Sequence, residues 1–367
     1  MESRNNFGFT RLSLAVSVMI SHFYILQGKA EFVTLGSTGF SVDLGTISVG
    51  GFFAISGHLL TKSANRQTAR MYMLNRFLRI FPAYWLHLVI VITSLYILDS
   101  SIPNSIISNH EIPRIKLLTY IFNNFALWQS GNDIQGLFPN NFYPYLVNAS
   151  LWSLFPEFIC YILLILSIKI CVHFNVYPHI ILFAIIGVSV VLGIAILFTG
   201  EFPLFGGAFF EGKTIEALRV VNALQSFAVG SLLAVYPKIL VTLRMKNLSL
   251  VFLLGMFMLA TLFSAYFLIG SIYFSIIIVL LGSGSQKFKI LGWFDKFDLS
   301  FGVYLYHAPI LQVLISLSIF GVISISSIQM FLLLASITFS MGMFSWVLIE
   351  KPSKNLAKKI NSKMRRI

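Results

Sequence analysis

Long apolar stretches separated by short polar breaks recur along the whole chain, and each is long enough to read as a helix in lipid. A hydrocarbon core about 30 Å thick needs about 20 apolar residues in helical form. Ten stretches approach or meet that length: Leu12–Gln27, Gly45–Thr61, Ile80–Leu98, Leu151–Ile170, Tyr177–Leu197, Val220–Tyr236, Leu248–Tyr266, Leu268–Leu281, Leu299–Phe320 and Ile323–Ile349. The run from Leu248 to Leu281 would be about 51 Å long as one helix, too long for a single crossing. A break at Ile269, Gly270 and Ser271 therefore divides it into two short, tilted helices. The pattern predicts an all-α polytopic membrane bundle of about ten transmembrane helices.

Composition supports lipid as the solvent. Of 367 residues, 57% are hydrophobic and only 11% charged, with a mean hydropathy of +0.84. Soluble domains carry about a quarter charged residues, so this chain cannot wet its own surface. The formal net charge of +13 suggests nucleic acid at first sight, but in a membrane protein Lys and Arg set the side of the bilayer on which each loop lies. With both termini placed in the cytoplasm, only Lys29, Arg114, Lys116, Lys213 and Arg219 of the 26 basic residues face outward. Merging the seventh and eighth helices would throw Lys287 and the basic end of the chain outside. The asymmetry thus expects an even helix number, with cytoplasmic N- and C-termini and no nucleic-acid partner. Cys160 and Cys171 would lie about 16 Å apart on one helix, too far for a disulfide, and no metal site is expected. The first span lacks the small-residue cleavage site of a signal peptide. Residues 1–352 read as one membrane domain and 353–367 as a short basic cytoplasmic tail facing anionic lipid.

Ionisable groups within the spans are the candidate chemistry, because lipid makes them costly unless they meet a partner or a cavity. Arg11 and His22 lie about three turns apart on the first helix, on one face. The bland reading is an interfacial arginine and a histidine satisfied by a carbonyl. Glu157 enters the fourth span at a depth near that of His22, where it would orient the ring and raise its basicity, unless it is merely interfacial. Arg76 and Arg79 open the third helix and suit an anionic ligand such as phosphate; topology alone also asks for cations there. His307 sits beside Tyr304 and Tyr306, either donating to a substrate or packed in the core. His58 and His87 read as structural or interfacial. The outer segment Asp99–Ser150 interleaves Asn123, Asn124, Trp128, Gln129, Asn132, Asp133, Gln135, Asn140 and Asn141 with Phe138, Phe142, Tyr143 and Tyr145. That composition suits sugar binding and equally an aromatic belt at the membrane surface.

Six stretches in order carry a resemblance: Arg11 with His22; Gly51-Phe-Phe-Ala-Ile-Ser-Gly57; Asn75-Arg-Phe-Leu-Arg-Ile-Phe-Pro-Ala-Tyr84; Ser150-Leu-Trp-Ser-Leu-Phe-Pro-Glu157; Ser300-Phe-Gly-Val-Tyr-Leu-Tyr-His307; and Glu350-Lys-Pro352. From about Phe9 to Pro352 the chain resembles the acyltransferase-3 family of integral-membrane acyltransferases. The resemblance implies a ten-helix domain that moves an acyl group, commonly acetyl from cytoplasmic acetyl-CoA, to a hydroxyl of an extracytoplasmic surface carbohydrate such as O-antigen or exopolysaccharide. It implies acyl-CoA, a carbohydrate or lipid-linked glycan acceptor and membrane lipid as partners. A bacterial inner membrane is the implied setting, with no permanently bound cofactor. Arg11 and His22 become the essential pair, with Glu157 as third catalytic candidate. Arg11, Arg76 and Arg79 become the acyl-CoA contacts, and Trp152, Tyr304 and His307 acceptor-binding candidates. Many relatives append an SGNH-type domain after the membrane part, for which this chain ends too early. His58, where a bulky apolar residue is usual, and Pro156, just before Glu157, depart from the family pattern. His22 would serve as general base on the acceptor hydroxyl, or as a nucleophile that briefly carries the acyl group. A polysaccharide flippase or polymerase without acyl chemistry is the rival reading. Glu157, nearly alone in the spans, and an outer loop poor in cations weigh against both.

Overall fold

A computed structural model describes residues 5–30, 34–35, 42–101, 114–127, 133–199, 214–245, 247–284 and 297–364. Trp128, Gln129 and Asn132 of the outer segment lie outside these residues. So do Arg4, Lys213, Lys246, Lys287, Lys289, Lys296, Arg365 and Arg366 of the charge pattern. The described chain is helical throughout, apart from loops and a two-residue antiparallel pair, Thr34–Leu35 with Val42–Asp43. Its helices are α1 (Phe7–Ile25), α2 (Leu44–Ala64), α3 (Ala69–Ser101), α4 (Arg114–Asn124), α5 (Leu154–Phe174), α6 (Pro178–Thr199) and α7 (Thr214–Val235). There follow α8 (Pro237–Met245), α9 (Asn247–Leu262), α10 (Ser271–Gly282), α11 (Ser300–Ile319), α12 (Ser327–Ser345) and α13 (Lys351–Met364). Among the described residues, eight helical stretches are long and apolar enough to cross a membrane, and Ser249–Leu262 and Tyr266–Gly282 are shorter apolar helices. The all-α polytopic bundle expected from the hydropathy pattern is therefore what the chain forms.

Three boundaries differ from the sequence reading, each for a local reason. The break in the long apolar run falls at Ser264, before the expected Gly270–Ser271. Ser264 takes a left-handed φ of 56°. Its N–H bonds Thr261 O, and the Ala265 N–H bonds back to Ala260 O at 2.7 Å, the paired closure of a Schellman cap. Helix α3 begins at Ala69 and not Ile80, which puts His87 near its middle. The basic tail continues the helix, since α12 runs through a wide turn at Trp346–Glu350 directly into α13.

The chain divides into two compact units, Met1–Leu14 with Val33–Met73 and Pro156–Lys296, and Ala15–Phe32 with Leu74–Phe155 and Phe297–Ile367. In the first unit α2 packs closely on α7 through glycines. A Cβ on Gly57 would run into the Phe227 carbonyl, and one on Gly230 into the Ala54 carbonyl. Small residues of this kind let helix backbones approach in lipid. Asp43 caps α2, accepting the Thr46 N–H at 2.5 Å and the Thr46 hydroxyl at 2.8 Å, and pairs with Arg219 at 2.8 Å. Burial alone would raise the Asp43 carboxyl. The Arg219 guanidinium and the two Thr46 bonds outweigh that and hold it below its ordinary pKa.

In the second unit α11 packs on α12, where Gly302 meets the Gly342 backbone. Met19 and Phe23 of α1 and Leu26 just beyond it close a core with Leu311, Leu314 and Leu334. The outer segment folds back on α11. Asn141 donates to the Gln312 carbonyl at 2.9 Å and to its side-chain oxygen at 2.8 Å, while Gln312 donates to the carbonyls of Tyr143 and Leu146. Phe138 is buried, whereas Phe142, Tyr143 and Tyr145 are exposed.

Candidate active site

Within the second unit, α11 brings a histidine to the ring of His22. Residues four apart share a helix face, so the His307 ring lies over the preceding turn and its Nδ1 reaches the Val303 carbonyl at 2.9 Å. Its Nε2 lies 2.8 Å from His22 Nδ1, with the two rings stacked at a centroid distance of 5.0 Å. A carbonyl oxygen only accepts, so His307 Nδ1 carries a hydrogen and, in the neutral ring, Nε2 is the acceptor. The hydrogen-bond pattern thereby assigns the hydrogen of the 2.8 Å contact to His22 Nδ1. His22 Nε2 is left with the lone pair. His307 is fully buried, whereas His22 is half-buried.

Ser150 completes the group. Its hydroxyl lies 3.2 Å from His307 Nε2 and 3.5 Å from His22 Nδ1. Ser150 stands at the N-cap of the single 3-10 turn Leu151–Ser153, where a serine usually accepts a backbone N–H. Here it makes no such cap, and its hydroxyl is turned to the imidazoles instead. Both backbone groups of Ser150 are held. Its N–H donates to Asn148 Oδ1 at 2.9 Å, and its carbonyl accepts the Tyr304 hydroxyl at 2.7 Å. With its one hydrogen on that carbonyl, Tyr304 accepts from Ser153 at 2.6 Å. Asn148 spends its Nδ2 on the Leu305 carbonyl at 2.8 Å and on His87 Nε2 at 3.1 Å.

The structure thus brings together His22, His307 and Tyr304 of the residues singled out from sequence, and adds Ser150, Asn148 and His87. Trp152 is half-buried in the turn between Ser150 and Ser153. Glu157 belongs to the first unit, where its Oε1 accepts the Ser56 hydroxyl at 3.1 Å and the Tyr161 hydroxyl. The His22 ring stacks on His307, which the sequence offered as an acceptor-binding candidate or a packed core residue. Arg11 is a half-buried residue of the first unit's part of α1. Arg76 and Arg79 lie in the second unit, with Arg79 3.7 Å from the Asp298 carboxylate. In the first unit Lys62 donates to buried His58 at 2.8 Å.

A family profile described as an acyltransferase domain matches residues 6–350. The chain belongs to the acyltransferase-3 family. Among characterised proteins it is similar to one named O-acetyl transferase from Shigella phage Sf6, at 29% identity over 366 residues, covering 96% of each chain. No solved structure matches. The matched stretch includes all ten apolar stretches read from hydropathy. A transport protein without acyl chemistry is set aside by that match.

Proposed function

We propose that this acyltransferase moves an acetyl group from cytoplasmic acetyl-CoA to a hydroxyl of a surface carbohydrate, O-antigen or exopolysaccharide in class. The family match and the phage relative's name, O-acetyl transferase, support O-acetyl transfer. The concentration of Lys and Arg on one side supports cytoplasmic termini in a bacterial inner membrane. The observation that carries the reading is the His22–His307 contact, because it leaves His22 Nε2 unprotonated and the ring fixed.

In this reading His22 Nε2 takes the proton of the acceptor hydroxyl as its oxygen attacks the thioester carbonyl. The carbon–sulfur bond then breaks, and the CoA thiolate leaves and collects the proton. As His22 becomes imidazolium, its Nδ1–H bond to His307 Nε2 changes from a neutral to a charge-assisted bond and strengthens. General-base assistance of this kind contributes about 10²–10⁴-fold. Arg11, Arg76 and Arg79 are the cations offered to the donor's phosphates, each by the planar fork of its guanidinium. The Arg79–Asp298 pair is partly exposed, so it is weak enough for a phosphate to compete. Glu157, which accepts from Ser56 and Tyr161, stays the third catalytic candidate of this reading. The test is the acetyl content of the surface glycan, read by NMR, in cells lacking the gene and complemented with wild type or His22→Ala. Base-labile acetyl should return only with wild type. Full acetylation by a correctly inserted His22→Ala variant would overturn the assignment.

A further inference from the structure

An unusual acceptor lies one turn before a proline in α11. In a helix the carbonyl of residue i bonds the N–H of residue i+4. Leu305 would therefore bond residue 309, but that residue is Pro309, inside the helix, and it has no N–H to give. Its ring also crowds the carbonyl four residues back and turns it away from the axis. Leu305 O is consequently a buried backbone acceptor that must find its partner elsewhere, and it finds Asn148 Nδ2 at 2.8 Å.

Asn148 is itself buried, with 2% exposure, and it is used to the full. One amide hydrogen goes to Leu305 O, the other to His87 Nε2 of α3, and Oδ1 takes the Ser150 N–H. Three bonds to three separate segments leave one orientation for the amide. Ser150 is in turn the residue whose hydroxyl lies between the two imidazoles. A continuous chain of contacts thus runs from Pro309 through Leu305, Asn148 and Ser150 to His22 and His307.

We infer that Asn148 is a positioning residue for acyl transfer, and that Pro309 serves the reaction by freeing the carbonyl on which Asn148 is seated. This rests on the acetyl-transfer reading above, and it assigns neither residue a contact with substrate. Its particular consequence is that a stabilising substitution should impair the reaction. Pro309→Ala restores an N–H to α11, lets Leu305 bond along the helix, and removes the reason for that carbonyl to face Asn148.

The experiment measures CoA-thiol release from acetyl-CoA in membranes that carry the host glycan, for the full chain as wild type, Asn148→Ala, Pro309→Ala and the double variant. Thermal stability of the detergent-extracted proteins is measured alongside. Pro309→Ala should melt no lower than wild type. Its rate at saturating acetyl-CoA should nevertheless fall about tenfold or more, the scale on which small misplacements of reacting groups act, with an unchanged KM for acetyl-CoA. Asn148→Ala should lose rate to a similar extent, and the double variant should be no slower than the worse single, since both break one connection. A Pro309→Ala enzyme at wild-type rate, or losses that multiply in the double variant, would overturn the inference. Wild-type membranes that release no thiol from acetyl-CoA would overturn the acetyltransferase reading itself and this inference with it.

Discussion

His307 donates its Nδ1 hydrogen to the carbonyl of Val303, one turn earlier on the same helix, at 2.9 Å. That single bond decides the protonation of a second ring. With Nδ1 committed, only Nε2 of His307 faces His22, and in the neutral pair it does so as an acceptor. Replacing His307 by Ala should therefore cost rate without costing donor binding. Turnover is expected to fall about ten- to a hundredfold, as when an orienting partner is lost, with KM for acetyl-CoA little changed. His307→Gln should recover part of the rate, because its amide oxygen can accept the His22 hydrogen. His22→Ala should lose more than either. Steady-state kinetics of the three variants check the order.

The turn at Ser264 offers a test of the local fold. A left-handed φ of 56° costs an ordinary residue about 1 kcal/mol, and glycine escapes that cost. Glycine gives some of it back through its greater freedom in the unfolded chain. Ser264→Gly is accordingly expected to raise stability by a few tenths of a kcal/mol, and Ser264→Val to lower it by about 1 kcal/mol. Melting temperatures in detergent would show the opposite signs. Equal shifts for both would argue that the turn is not the break between α9 and the helix that follows.

Much of this architecture was legible from hydropathy, because a long apolar segment in lipid has only the helix open to it. The ten apolar stretches and their order came from that rule. What stayed hidden was pairing across sequence distance. His22 and His307 are 285 residues apart, and no periodicity relates α1 to α11. Ser150 stood inside a quoted motif, but its hydroxyl looks like an ordinary N-cap until the structure shows it uncommitted to the helix. Asn148 gave no signal, since one Asn among many in the outer segment is unremarkable by composition. The Leu305–Pro309 spacing was the one readable clue, as a proline within a helix always orphans a carbonyl four residues back. The break lies before Ile269, Gly270 and Ser271 because Ser264, and not the glycine, takes the left-handed conformation within a paired cap.

The α2–α7 contact should be intolerant of any side chain at its glycines. A Cβ at Gly57 or Gly230 would overlap a backbone carbonyl of the facing helix, and backbone yields less readily than a side chain. Gly57→Ala and Gly230→Ala should each destabilise by about 1–3 kcal/mol, the cost of overpacking a close interface. Gly187→Ala is the control, because its Cβ would meet nothing within 4 Å, and in a helix it should be neutral or mildly stabilising. Thermal melts of the three variants separate the outcomes. Comparable losses at all three positions would show that helix composition, and not the close approach of α2 and α7, sets their response.

Acid should loosen the start of α2 through Asp43. Burial opposes its charge, but Arg219 and Thr46 prevail, so the native pKa lies below the unfolded value. A carboxyl depressed in this way binds more protons when unfolded than when folded, so stability rises with pH across the interval between the two values. The contribution is fully present above the ordinary carboxylate pKa near ~4 and is lost as pH falls through the lower native value. Asp43 and Arg219 are mostly buried, with side-chain exposures of 19% and 30%, so solvent screens the pair only in part. Asp43→Asn keeps an oxygen for the Thr46 N–H but gives up the charge facing Arg219. It should melt lower than wild type near neutrality, and the gap should close as the pH is brought below about 4. A gap that stays constant from neutral to acid pH would show that shape at the N-cap, and not the carboxylate's charge, is what holds Arg219 and the first turn of α2 in place.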